Sequence, residues 1–150
     1  MRRVSALIFM FSVCSMLINA QINEILGDWA TVDDKTGNSY SVVHIYKAAN
    51  GKYYGKIARM LIAGTEDMVC EACPEPYHNA PLVGLVFIQD MEYKDGCLTG
   101  GRLLDPESGK YYYGKISYSP KTGKLELRGS IDKRGWFGRS QFWNKLKVEN

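Results

Sequence analysis

The sequence predicts an all-β fold: about eight antiparallel strands running up and down in order and closing into a barrel, with one long cysteine-containing loop. Three observations lead there. Beyond Ile25, tyrosine is abundant, and β-branched and aromatic residues gather in short runs bounded by turn residues. Most connections between the runs are only a few residues long, which suits hairpins and excludes the crossovers of a dozen or more residues that parallel strands need. A meander of this kind leaves two open edges unless it closes on itself, and closure removes both.

Taken in order, the chain first offers a leader. Met1-Arg2-Arg3 is basic, Val4 to Ile18 is almost unbroken apolar sequence, and Asn19-Ala20 supplies a small residue before Gln21. This is the order of a secretory signal peptide over 1–20, and its run is short for a membrane span, so the product is expected to be exported and not membrane-spanning. A lipid anchor on Cys14 fits less well, because Val13 before it is bulky for such a site. Without the leader, the 19 bases lose Arg2 and Arg3, leaving 17 against 16 acids. That balance argues against a nucleic-acid partner, which calls for a strong basic excess. Residues 21–150 suit a single domain with its own core.

A helical turn is expected within Asn23 to Leu26. The candidate strands are then Trp29 to Asp33, Tyr40 to Lys47, Lys52 to Ile62, Leu82 to Met91, Leu98 to Leu104, Lys110 to Ser119, Lys124 to Ile131 and Trp136 to Leu146. Asp33 to Gly37, Asn50-Gly51, Lys94-Asp95-Gly96, Asp105 to Gly109, Ser119 to Gly123 and Lys133-Arg134-Gly135 separate them, each with residues that preset or tolerate turn geometry. Ala63 to Pro81 is too long for a hairpin and reads as an irregular loop or lid.

Two strands carry nearly the same phrase, Gly51-Lys52-Tyr53-Tyr54-Gly55-Lys56-Ile57 and Gly109-Lys110-Tyr111-Tyr112-Tyr113-Gly114-Lys115-Ile116. Strand alternation puts Tyr53, Gly55 and Ile57 on one face and Tyr112, Gly114, Ile116 and Tyr118 on the matching face of the second copy. The extra Tyr111 then falls on the turn side. A glycine inside a strand marks a bulge, a barrel bend or a close approach, so the space beside Gly55 and Gly114 goes either to a neighbouring side chain or to a ligand. On the second reading Tyr53, Ile57, Arg59, Tyr112, Ile116 and Tyr118 are candidate cavity residues. Regular alternation also sends either Arg59 or Lys56 inward unless a bulge intervenes. An unpaired buried charge is costly, so that base is expected at an open rim or against a carboxylate.

Here the chain resembles a known group. Gly27-Asp28-Trp29 is similar to the Gly-x-Trp opening of lipocalins and related calycin barrels, in which a base from the last strand packs over the tryptophan. The resemblance makes Arg139 the base that closes the barrel over Trp29. The wider set looks like the secreted bacterial family known as domain of unknown function 2147: Gly27-Asp28-Trp29, Cys70-x-x-Cys73, Pro81-Leu82-Val83-Gly84-Leu85, Gly100 to Pro106, Leu127-Arg128-Gly129 and Gly138-Arg139. It covers nearly all of the chain after the leader. It implies a lipocalin-like barrel and an exported location, and it brings no activity with it.

Signals for catalysis are sparse. Cys70-Glu71-Ala72-Cys73 admits a structural disulfide, a metal site completed by Cys97 and His78, or redox work. Redox motifs of this spacing draw on a helix N-terminus, which a proline-flanked loop lacks, and an oxidising compartment favours the Cys70–Cys73 disulfide. His44 and His78 have no nucleophile and acid beside them in sequence, and Asp105-Pro106-Glu107-Ser108-Gly109 reads as a turn rather than paired catalytic carboxylates. No catalytic residue, metal or cofactor is assigned. The function expected is binding of a small apolar or amphipathic ligand inside the barrel. The alternative is an envelope protein partner docking on a barrel filled by its own side chains.

Overall fold

The computed structural model describes residues 21–146. The leader expected at residues 1–20 lies outside them. A helical turn over 21–25 leads into nine strands: β1 (Gly27–Val32), β2 (Ser39–Lys47), β3 (Tyr53–Met60), β4 (Val86–Lys94), β5 (Cys97–Thr99), β6 (Arg102–Leu104), β7 (Tyr111–Ser119), β8 (Lys124–Ser130) and β9 (Gly138–Lys145). Every pairing between them is antiparallel. β1 pairs with both β2 and β9, and β3 pairs with β4, so the sheet closes. The nine strands fill eight positions, because β5 and β6 share the place between β4 and β7.

That shared strand breaks at Gly100-Gly101 for a steric reason. A Cβ on Gly101 would stand 2.8 Å from the Met91 amide nitrogen and closer still to the Gln89 carbonyl oxygen, so β4 passes where any other residue would project. The turn between β4 and β5 places Asp95 and Gly96 at φ 53° and 81°. Positive φ at both central residues is the geometry whose twist matches the flanking strands.

Two strand boundaries differ from expectation. Leu82-Val83-Gly84-Leu85 lies before β4 rather than in it, since Gly84 adopts φ 93° and turns the chain. Its amide still bonds Ile57 O at 2.7 Å, while Ile57 N bonds Leu85 O at 3.1 Å, which ties the loop to the β3 ladder. Trp136 and Phe137 lie in the connection before β9, where Asp132 binds both of their amides.

Chain direction defines two ends. The helical turn and the connections after β2, β4 and β7 form the base, and those after β1, β3, β6 and β8 form the mouth. The inner wall is sealed around Trp29 and through the waist, while Tyr53 (7%) and half-buried Tyr118 at the base, and the residues toward the mouth, keep some surface. Trp29, Val43, Leu98, Ile116, Leu125 and Trp143 are fully buried, whereas Ile57, Phe87, Leu103 and Leu127 keep 6–9% of their surface. Nearest the mouth, Tyr112 and Gln141 are only half-buried.

The repeated phrase divides between the two ends. β3 climbs from the base and β7 descends from the mouth, so Tyr53 starts at the base and Tyr112 at the mouth. The glycines leave no vacancy. Beside Gly55 the space is taken by Ile88, and beside Gly114 by Leu103 and Met91.

Candidate ligand site at the mouth of the barrel

β3 carries one residue more than β2 opposes: Val43 pairs with Ile57 and Val42 with Arg59, so Ala58 is the extra residue of a bulge. The bulge shifts the alternation. Arg59 turns out to solvent and Met60 takes the buried place. Arg59 is therefore not a cavity residue, and the problem of an inward base on β3 disappears.

β9 supplies the polar side of the inner wall. Leu125, Leu127 and Gly129 oppose Trp143, Gln141 and Arg139, and directly opposed residues share a face. Trp143 donates its indole N–H to Gln141 Oε1 at 3.2 Å and lies with its ring 6.4 Å from that of Phe87 across the interior. Arg139 stands above them at the rim, 69% exposed, with Nε 3.2 Å from Asp34 Oδ2 and a second, shorter contact through Nη2. The hydrogen bonds and charge of Asp34 raise the already high pKa of its guanidinium.

The expected Trp29–Arg139 pair is not formed. Register sets Lys145, not Arg139, across from Trp29. Its Nζ lies 5.4 Å from the Trp29 ring and 5.9 Å from that of Tyr118, and it donates to Glu24 O at 3.1 Å. Arg139 is six residues earlier on the same strand and thus at the opposite end of the barrel. The Trp29 indole bonds Ile25 O at 2.8 Å, which fixes the helical turn beneath the base.

Of the remaining predicted cavity residues, Ile57 and Tyr112 reach the mouth. Tyr53 is buried at the base end, Ile116 is sealed at the waist, and Tyr118 lies with its ring tilted against that of Trp29, 6.1 Å between centroids. Sequence reasoning missed Phe87, Leu103, Leu127 and Gln141. Gln141 was within reach, because it lies two residues from both Arg139 and Trp143 and so shares their face.

Cys70 and Cys73 form a disulfide with Cα atoms 5.4 Å apart. The loop that holds it spans part of the rim: Met68 Sδ accepts from Tyr40 OH at 3.7 Å on the β2 side, and Cys70 Sγ lies 3.4 Å from Pro106 O on the β6–β7 side. Cys97 is free and half-buried on the outer wall, and His78 is exposed on the loop. His44 also faces outward, 2.6 Å from Asp28 Oδ1. Among the described residues no three His, Cys, Asp or Glu side chains are placed to hold a metal ion.

A family model described as "Uncharacterized protein conserved in bacteria (DUF2147)" matches residues 27–145. The chain belongs to the DUF2147 family. This DUF2147 chain is also similar to a solved structure, protein HP1028 from the human pathogen Helicobacter pylori, described as belonging to the lipocalin family. The two are 26% identical with a TM-score of 0.70, over 82% of this chain and 83% of that one. No curated protein matches the DUF2147 chain. The lipocalin-like barrel expected from its motifs is thus the fold it has, and the mouth is where that fold leaves its inner wall accessible.

Proposed function

We propose that this DUF2147 protein is an exported binding protein that holds a small apolar or amphipathic molecule at the mouth of its barrel. The observation that carries the reading is a lipocalin-like barrel whose inner wall ends at the mouth in half-buried Tyr112 and Gln141 and exposed Arg139. Ile57, Phe87, Leu103 and Leu127 offer an apolar wall, while Tyr112, Gln141 and Arg139 offer polar groups near the rim. Apolar walls with a few placed polar groups suit a ligand with a hydrophobic body and a polar end. The lipocalin assignment of HP1028 agrees with this reading. Fully buried side chains at the waist mean that the ligand is short, or that only its tail enters.

The test is native mass spectrometry of the protein as cells accumulate it, combined with titration by a fluorescent fatty-acid probe. The expected result is a co-purified small molecule, or saturable probe binding that Leu127→Trp blocks by filling the mouth. Absence of both leaves the barrel as a side-chain-filled interaction module and overturns the proposal.

A further inference from the structure

The outer wall carries a charge cluster that neither the barrel interior nor its rim uses. Between the β4–β5 turn at the base and the β8–β9 connection above lies a groove of about 460 Å³, with β5, β7 and β8 behind it. Lys94, Lys115, Arg128, Lys133 and Arg134 line it, and Asp95 is the one acid among its lining residues. The volume falls within the range of small-molecule sites, about 300–1,000 Å³.

Strand register sets two of these bases face to face. Lys115 on β7 is directly opposed to Arg128 on β8, and both point outward because their neighbours Ile116 and Leu127 are buried in the inner wall. Like charges directly opposite each other destabilise a sheet. The ion pairs among the described residues use the carboxylates of Glu24, Asp28, Asp34 and Glu92, and none of the five groove bases enters one.

The acids that border the groove have other partners. Glu92, opposite Thr99, lies 3.3 Å from Lys52 on the β3 side. Glu126 accepts from Ser140 Oγ at 2.7 Å on the β9 side, so Arg128, whose Nη1 is 3.3 Å from the same hydroxyl, meets it at one remove. The Asp132 carboxylate takes the amides of Phe137 at 2.7 Å and Trp136 at 3.1 Å. Arg128 itself donates to Gly135 O, from Nη2 at 2.7 Å and Nε at 3.0 Å. That carbonyl satisfies its N–H groups and fixes the β8–β9 connection over the groove, but it does not neutralise the charge. Ile131, Trp136 and Phe137 stay exposed on this connection, with Arg134 held 5.9 Å over the Trp136 ring.

We infer that this groove binds a compact anion carrying more than one phosphate group. Five bases against one acid leave four positive charges uncompensated. A phosphate group brings about −1.5 to −2 charges at neutral pH, so two or three of them match the lining. Arg and Lys supply charge-assisted donors to phosphate oxygens, and Thr99 and Tyr113 add hydroxyl groups. An anion seated over Lys115 and Arg128 relieves their repulsion, while Lys94 approaches from the base side and Lys133 and Arg134 from above. The groove lies outside the barrel, so this site stands or falls separately from a ligand at the mouth.

Calorimetric titration with tripolyphosphate at low salt tests the site, with fructose 1,6-bisphosphate and orthophosphate as comparisons. Free Cys97 lines the groove, so alkylation by iodoacetamide, read from the mass of its peptide, reports whether the groove is filled. The expected result is saturable one-to-one binding of tripolyphosphate or the bisphosphate, at least about tenfold tighter than orthophosphate, with Cys97 protected. The tighter of the two shows whether the phosphates are joined directly or through a carbon skeleton. Lys115→Glu should weaken binding about tenfold or more and, by setting an acid opposite Arg128, leave the unliganded protein at least as heat-stable as the parent. Arg134→Gln should weaken binding about three- to fivefold, whereas Lys124→Gln, on β8 but outside the groove, should change it less than about twofold. Absence of saturable binding, orthophosphate binding as tightly as the others, or unprotected Cys97 would overturn the inference. So would equal losses in Lys124→Gln and Lys115→Glu, or a Lys115→Glu protein less stable than the parent, since the opposed bases would then carry no strain.

Discussion

Replacing Gly55 with alanine tests whether the inner-wall glycines make room for a neighbour or for a ligand. A Cβ there would lie 2.5 Å from Ile88 Cδ1 and 3.0 Å from Ile88 Cβ and Cγ1. Ile88 is paired with Gly55 across the β3–β4 ladder and is fully buried, so it has no solvent into which to swing. Overpacking of this kind costs about 1–3 kcal/mol. Alanine recovers about 0.5–1 kcal/mol of that through its smaller loss of backbone freedom. A net loss of about 0–2.5 kcal/mol follows. Ile88→Val alone removes Cδ1, the closest of the three atoms, and should cost about 0.5–1.5 kcal/mol as a simple truncation.

The two substitutions compete for one volume, so they should not add. In the double variant the new Cβ meets space that Cδ1 has left, and the combined loss should fall short of the sum by about 1 kcal/mol. Urea unfolding at constant slope gives all four values. Strictly additive losses would refute the reasoning, because they would mean that open volume lies beside Gly55. Gly101→Ala provides the contrast. Its Cβ would meet the Met91 amide nitrogen at 2.8 Å, and no trimming of a side chain can relieve a clash with backbone.

Three further outcomes follow from the same contacts. Lys145→Ala should cost about 1–2 kcal/mol, since it removes the cation over Trp29 and Tyr118 along with its bond to Glu24 O; Arg139→Ala, which loses an exposed ion pair, should cost no more than about 0.5 kcal/mol. Thermal or urea unfolding separates them, and the reverse order would restore Arg139 as the closing base. Cys70→Ser/Cys73→Ser should cost about 2 kcal/mol, as expected for opening a very short loop, while far-UV circular dichroism stays unchanged because the loop lies outside the ladder; equal stability of the two forms would contradict this. Asp132 has a folded pKa below its ordinary 3.8, because the amides of Phe137 and Trp136 bond its charged form. Its contribution is therefore present above the ordinary carboxylate pKa and is lost as pH falls through the lower folded value. The Trp136 and Phe137 amide resonances should titrate together with a midpoint below 3.8, and a midpoint at or above it would show that the carboxylate does not hold the loop.

The strands were legible because β-branched and aromatic runs between Gly-, Asn- and Asp-bearing turns allow few other arrangements. Closure was legible as the answer to two unpaired edges. What escaped is whatever depends on register. Alternation flagged the inward base on β3 and named a bulge as one remedy, but nothing in Lys56-Ile57-Ala58-Arg59 marks Ala58 as the extra residue. The motif pointed to Arg139 over Trp29, while the β1–β9 pairing brings Lys145 there, and a motif carries no register. Trp136 and Phe137 looked like the start of a strand because adjacent aromatics favour one. Local hydrogen bonds to Asp132 outweigh that propensity, leaving the pair in a loop.

The two ends of the barrel divide the work of the chain, and the division is itself open to measurement. The base and waist hold the fully buried side chains, the glycine–isoleucine exchange at Gly55 and Ile88, and Lys145 over Trp29. The mouth holds half-buried Tyr112 and Gln141, exposed Arg139 and the disulfide loop. Substitutions without shared partners act independently. Changes at Gly55, Ile88 or Lys145 should therefore move the unfolding curve and leave the affinity for the fatty-acid probe where it was. Arg139→Ala, at the rim, should do the opposite. If base substitutions altered probe binding at temperatures well below unfolding, the two ends would be mechanically coupled. The barrel would then have to shift as a whole between a loaded and an empty form, rather than serve as a rigid support for the residues at its mouth.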